Sequence, residues 1–265
     1  MTSPSVVPAP AAPPHDELEL LLRLGDDRLV LGHRLSEWCG HAPILEEDIA
    51  LANIALDLLG QATLFLRRAG EVEGKGRDED ALAYFREAVE FRNCLLVEQP
   101  NGDFAFTIAR QFLFDVHAVV TLDALSRSTN AGIAALAAKS LKEAKYHVRH
   151  SGEWMLKLGD GTDESHRRVQ HALDELWRFT PELFVADGVA ARLAVQGIAP
   201  DFPALRPQWE GIVRDVADRA TLTLPHESMH SAHLRSGRTG MHSEHLGHLL
   251  AEMQIVARSH PGAKW

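Results

Sequence analysis

The chain has 265 residues, of which 45% are hydrophobic and only 6% aromatic. That length supports one sizeable buried core or two small ones. The formal net charge of −10 at pH 7 makes the average surface repel polyanions, which argues against a nucleic-acid role. The two cysteines, Cys39 and Cys94, form neither a disulfide framework nor a Cys-x-x-Cys knuckle; they read as reduced thiols of a cytoplasmic protein.

Residues 1–14 are rich in Pro, Ala and Ser and lack the basic start and apolar block of a signal peptide. They are expected to form a disordered tail, followed by one helical domain over 15–265. No uninterrupted run of about 18 apolar residues suggests a membrane span.

The helical period then dominates. Over 16–39 the residues Leu18, Leu21, Leu22, Leu29, Leu35 and Trp38 fall near 3.6 spacing, and Gly40 to Pro43 breaks the run. A second helix is expected over 46–70, with Glu46, Glu47 and Asp48 favourable at its positive end and Ile49, Ala52, Leu56, Leu59, Thr63 and Leu66 as its core stripe. A third runs over 78–97 and stops at Pro100-Asn101-Gly102. The fourth, over 103–126, is apolar round most of its circumference and therefore central. A fifth covers 131–158. The sixth starts behind the N-cap Thr162 and reaches about 184. Residues 186–206 look irregular because of Pro200 and Pro203; helices follow over 209–224 and 243–259. No alternating strand pattern occurs. The fold class is all-α: an antiparallel bundle of long helices with additional C-terminal helices.

Bundles of this kind can hold two metal ions. Two helices then carry Glu-x-x-His, and two others each add a carboxylate. Here the second helix reads Asp57-Leu58-Leu59-Gly60 at that place. In the fifth, Glu143 is followed three residues later by Tyr146, and His147 falls one position further on. Asp115 sits in the apolar run Phe112-Leu113-Phe114-Asp115-Val116, where an unpaired carboxylate is expensive. Glu37 on the first helix could join this group. One reading is an iron site, which would make the chain an active di-iron oxygenase or ferroxidase. The other is a polar network with Arg110, Lys142 or Lys145 as countercharge. Gly60 offers no donor, so the network of Glu37, Asp57, Asp115, Glu143 and His147 is expected to be vestigial, with no metal and no catalytic residue in this chain.

Three other segments carry chemistry-bearing residues. His226-Glu227-Ser228-Met229-His230 matches the zinc-hydrolase pattern His-Glu-x-x-His, but Pro225 precedes it and the flank has little apolar periodicity to bury a catalytic helix. Met241 to His248 is also histidine-rich, with Ser243 as its N-cap. Phe91-Arg92-Asn93 combines an aromatic ring, a permanent cation and an amide, a set that suits a nucleotide-type phosphate and ring.

Several separated segments then look familiar together: Glu37-Trp38-Cys39-Gly40-His41-Ala42-Pro43, Asn53 to Gln61, Leu96 to Gly102, Lys142 to His147, Leu176 to Thr180, and His245 to Gln254. From about Leu22 to Trp265 the chain resembles the structural (C) subunits of bacterial phenylacetyl-CoA 1,2-epoxidases. The resemblance implies a ferritin-like fold and a place in a multicomponent monooxygenase of phenylacetate catabolism. It implies as partners a homologous catalytic subunit holding the di-iron centre, a small bridging subunit and an NADPH-dependent reductase. Phenylacetyl-CoA would be met indirectly, with Phe91, Arg92 and Asn93 as the candidates for contact. The iron would belong to the partner, with no cofactor bound by this chain.

Overall fold

The computed structural model describes residues 14–225 and 236–263. Apart from Pro14, where the first helix starts, the expected tail lies outside the described residues. In chain order the helices are α1 (Pro14–Ser36), α2 (Leu45–Glu73), α3 (Glu79–Tyr84), α4 (Leu95–Glu98), α5 (Phe104–Leu125), α6 (Ala131–Gly159), α7 (Asp163–Leu176), α8 (Gly188–Val195), α9 (Phe202–Arg219) and α10 (Glu244–Ser259). No strand occurs among the described residues.

α1 packs along α2, and α5 along α6. Each pair is antiparallel because its connection is short. α2 meets α6, which joins the two hairpins into a ferritin-like bundle. α7 and α9 cover α5, α8 lies on α1, and α10 on α1 and α3. α5 is the core helix: Ile108, Phe112, Leu113, Phe114, Val116 and Leu122 are each at most 1% exposed. Burying each such side chain contributes about 1.5–3 kcal/mol. The starts are fixed locally. Asp103 accepts the Phe106 N–H, Asn130 those of Gly132 and Ile133, and Thr162 that of Ser165.

Three expectations need correction. The stripe chosen for α2 is its core face only towards the C-terminal end, where Leu66 is buried and Leu59 packs against the core. Ile49 and Leu56 are 54% and 66% exposed, whereas Leu51, Ile54, Leu58, Ala62 and Phe65 are buried. The helix is apolar on two faces, and periodicity alone could not say which one turns inward. The expected helix over 78–97 is broken. α3 ends at Tyr84, a 3₁₀ turn spans Ala88–Glu90, and residues 91–94 are outside any helix. Tertiary bonds described below capture this backbone. Finally, the stretch 186–206 contains α8, and α9 begins at Phe202, with Pro203 in its first turn, where a missing N–H is harmless.

Two helices are long and apolar enough, by length and composition, to cross a membrane: α2, with mean hydropathy 1.7, and α5, with 1.2. The α5 window is 89% buried within the fold, but that of α2 only 44%.

Candidate functional site

Of the candidate ligand residues, Asp57, Glu143 and His147 meet at the seam between α2 and α6, where Asp57 and His147 pair with each other. His147 Nε2 lies 3.1 Å from Asp57 Oδ2. Gln61 Nε2 donates to Glu143 Oε2 at 2.8 Å, and His150 Nε2 lies 2.9 Å from Glu47 Oε2. One turn separates Asp57 from Gln61 on α2 and each of Glu143, His147 and His150 from the next on α6, so antiparallel helices bring the first two pairs into register. Burial pulls the His147 imidazole below its ordinary value, against the opposing pull of the Asp57 hydrogen bond. The imidazole is therefore neutral at pH 7, with one ring nitrogen free to donate to the carboxylate.

Asp115 lies deeper, on α5. Ser151 Oγ donates to its Oδ2 at 2.7 Å and Gln111 Nε2 to its Oδ1 at 2.6 Å. Burial pushes this carboxyl up to about 8, although both hydrogen bonds oppose the shift. It is a neutral acid through most of the physiological range. The expected countercharges are elsewhere. Arg110 donates to the Gln99 carbonyl and to Asn101 Oδ1, while Lys142 and Lys145 are exposed. Burial, with the Arg34 charge nearby, pulls Arg110 down to about 9. Glu37 does not join the seam either. It sits beyond the end of α1, 2.7 Å from Arg34 Nη1, and accepts from Asn101 Nδ2 at 2.9 Å.

These residues do not fit a di-iron centre. Gly60, expected at a ligand position, lies instead on the exposed outer face of α2. Glu143 is bonded to Gln61, whose Oε1 accepts from Arg28 Nε at 2.8 Å. Arg28 is 2% exposed and stacks 5.0 Å over the Phe65 ring. Burial pulls its guanidinium down to about 10, still cationic at neutral pH. A fixed cation thus stands one side chain away from the carboxylate that iron would need. Among the described residues no three of His, Cys, Asp and Glu group as metal ligands would.

The family model described as "Phenylacetic acid catabolic protein" matches residues 7–265. The chain belongs to this family. It is 52% identical over 244 residues to an Escherichia coli (strain K12) protein named as the C subunit of 1,2-phenylacetyl-CoA epoxidase; the match covers 92% of this chain and 97% of that protein.

In this chain the segment 91–95 is held by buried carboxylates. The Arg92 N–H donates to Asp26 Oδ2 at 2.8 Å, the Cys94 N–H to Asp27 Oδ1 at 2.7 Å, and the Leu95 N–H to Glu182 Oε2 at 2.7 Å. Asp26 also pairs with Arg86, which is buried and lies 4.2 Å over the Phe91 ring. Arg238 grips Asp27 at 2.9 and 2.8 Å and donates to the Arg92 carbonyl at 2.8 Å. Burial alone would lower the Arg238 guanidinium, but the Asp27 charge holds it above its usual range. Asn93 is buried and donates to Glu98 Oε1 at 3.0 Å. Only Arg92 keeps part of its side chain, 25%, in solvent. Its guanidinium contacts Glu19 and donates to the carbonyls of Val89 and Phe91.

The histidine-rich segments separate. His226 and His230 lie outside the described residues. His242 bonds Glu98 and, at 3.0 Å, the Phe91 carbonyl, while Ser243 gives Glu98 both its N–H and its hydroxyl. Arg28, Gln61 and the Glu47–His150 pair were not singled out by the sequence pattern. For the first, the available signal was a charge directly ahead of the apolar run Leu29-Val30-Leu31.

Proposed function

We propose that this chain is a non-catalytic structural subunit of a phenylacetyl-CoA epoxidase, supporting a homologous di-iron catalytic subunit. One observation carries the reading. Along the seam where a catalytic bundle would bind iron, side chains bond to side chains, with Arg28 and Gln61 in the circuit. The Escherichia coli relative, named as part of an epoxidase, supplies the complex, and the family supplies the pathway. In this reading the bundle persists because it docks. The interface is expected to be of the obligate class, on the order of 2,000 Å² in total. The bridging subunit and the NADPH-dependent reductase complete the assembly. The test is co-expression with the homologous subunit of the same operon, followed by complex mass and iron per chain. Iron confined to the partner supports the reading. Stoichiometric iron in this chain alone, lost on Asp57→Asn or His147→Gln, returns it to the active di-iron class.

Within the same reading, Arg92 is the one member of the 91–93 segment with side chain to offer a coenzyme A phosphate. Arg92→Lys then raises the apparent Michaelis constant for phenylacetyl-CoA in an intact complex, because lysine cannot copy a bidentate fork. An unchanged constant reduces Arg92 to a tie for the 89–92 backbone.

A further inference from the structure

α2 has a second apolar face that nothing among the described residues covers. At 100° per residue, Leu45, Ile49, Asn53, Leu56 and Gly60 fall on one arc of the helix. Leu45, Ile49 and Leu56 are 72%, 54% and 66% exposed, and a Cβ built on Gly60 would meet nothing within 4 Å. Exposed apolar residues aligned along a helix mark an interaction surface more often than scattered ones do. The adjoining face of α6 is different in kind. Lys139, Lys142, Lys145 and Arg149 are exposed there, with Tyr146 47% exposed beside His147 at the seam. Arg149 has only Glu153, at 3.9 Å, and the three lysines have no carboxylate partner among the described residues. In a chain of net charge −10, this is a local reversal of sign.

We infer that the outer faces of α2 and α6 form the docking surface for a different chain, one that presents an apolar helix face bordered by Asp and Glu. Charge complementarity selects this occupant over a second copy. Two-fold pairing would set the α6 cations against themselves or against the uncharged α2 arc, whose Asp57 is already bonded to His147. Leu and Ile supply the apolar anchor, and the bare backbone at Gly60 lets a partner helix approach closely. The basic border steers encounter and fixes register. A basic border beside an apolar arc also suits an anionic lipid surface. However, the arc carries no aromatic residue, and Asn53 and Gly60 interrupt it, unlike the continuous apolar face of an interfacial helix. The inference rests on the structural-subunit reading, and its test keeps the two apart.

The full-length chain is titrated with the homologous subunit from the same operon, and affinity and association rate are read at several salt concentrations. Ile49→Glu and Leu56→Glu change exposed positions and are checked for unaltered melting. Each should weaken binding about tenfold or more. Lys139→Glu combined with Lys142→Glu should slow association and flatten its salt dependence. Ile255→Glu, on the exposed side of α10, should leave both unchanged. Wild-type affinity retained by Ile49→Glu and Leu56→Glu overturns the surface while leaving the subunit reading intact. No affinity in the wild type overturns both. A wild-type homodimer dissolved by Leu56→Glu overturns the choice of a different chain. Flotation of the wild type, but not Leu56→Glu, with phosphatidylglycerol vesicles overturns a protein occupant.

Discussion

Arg28 Nε donates to Gln61 Oε1 at 2.8 Å, and the amide nitrogen of the same Gln61 donates to Glu143 Oε2 at 2.8 Å. One neutral side chain thus links a buried cation on α1 to a carboxylate on α6. Gln61→Leu leaves Arg28 buried with one acceptor fewer and strips Glu143 of a donor. The expected loss is about 2–4 kcal/mol of unfolding free energy. Arg28→Met removes the charge together with its donors in a similar volume and should be the milder change. Urea unfolding of both variants decides this. An Arg28→Met loss equal to or above that of Gln61→Leu would remove Gln61 from its bridging role.

Asp115 should make stability fall as pH rises. Its carboxyl titrates near 8 in the fold because of burial, against about 3.9 unfolded. Between these values the native state holds a proton that the unfolded chain has released. Its contribution is therefore complete below about pH 4 and declines up to about pH 8, by at most about 1.4 kcal/mol per unit. Asp115→Asn keeps the shape and abolishes the titration. Measured between pH 5 and 8, its stability relative to wild type should climb steadily; parallel curves would show that Asp115 is ionised in the fold.

His117 has the opposite sign. Burial pulls its imidazole down to about 3, its Nδ1 has no partner among the described residues, and its ring meets Phe184 edge-on at 5.4 Å. The unfolded chain takes up a proton near pH 6.5 that the native state refuses, so stability is lost as pH falls below that point. A cavity of about 40 Å³ adjoins the ring, which leaves room for the larger phenyl. His117→Phe should match or exceed wild type at pH 7, and its advantage should widen towards pH 5. A constant difference across that range would place the acid sensitivity elsewhere, with His147 the next candidate.

The sequence specified α5 and α6 well because their apolar residues leave one arrangement. Phe112, Leu113, Phe114 and Val116 are all buried, which demands a central helix. α2 was harder. Leu56 and Leu58 satisfy the same rule on opposite sides, and packing against α1 and α6 decides which faces in. Residues 85–95 were not legible locally. The N–H groups of Arg92, Cys94 and Leu95 go to Asp26, Asp27 and Glu182, residues far away in sequence, so helical propensity there lost to tertiary capture. At the seam, Asp57, Glu143 and His147 could be picked out by type and spacing. Their partners could not, because Gln61 and Arg28 look like ordinary helix residues until the register of α2 against α6 is known.

Gly60 separates folding from docking. It lies inside α2, where glycine costs about 1 kcal/mol relative to alanine, and the space beyond its Cα is open. Nothing among the described residues requires it. Gly60→Leu should therefore raise the unfolding free energy of the isolated chain by about 0.5 kcal/mol or more. The same side chain projects from the outer arc of α2 and should hold a partner helix away, weakening the complex. Thermal unfolding of the chain alone and titration with the homologous subunit should then move in opposite directions. A variant that is more stable and binds as tightly as wild type would show that no partner backbone passes position 60.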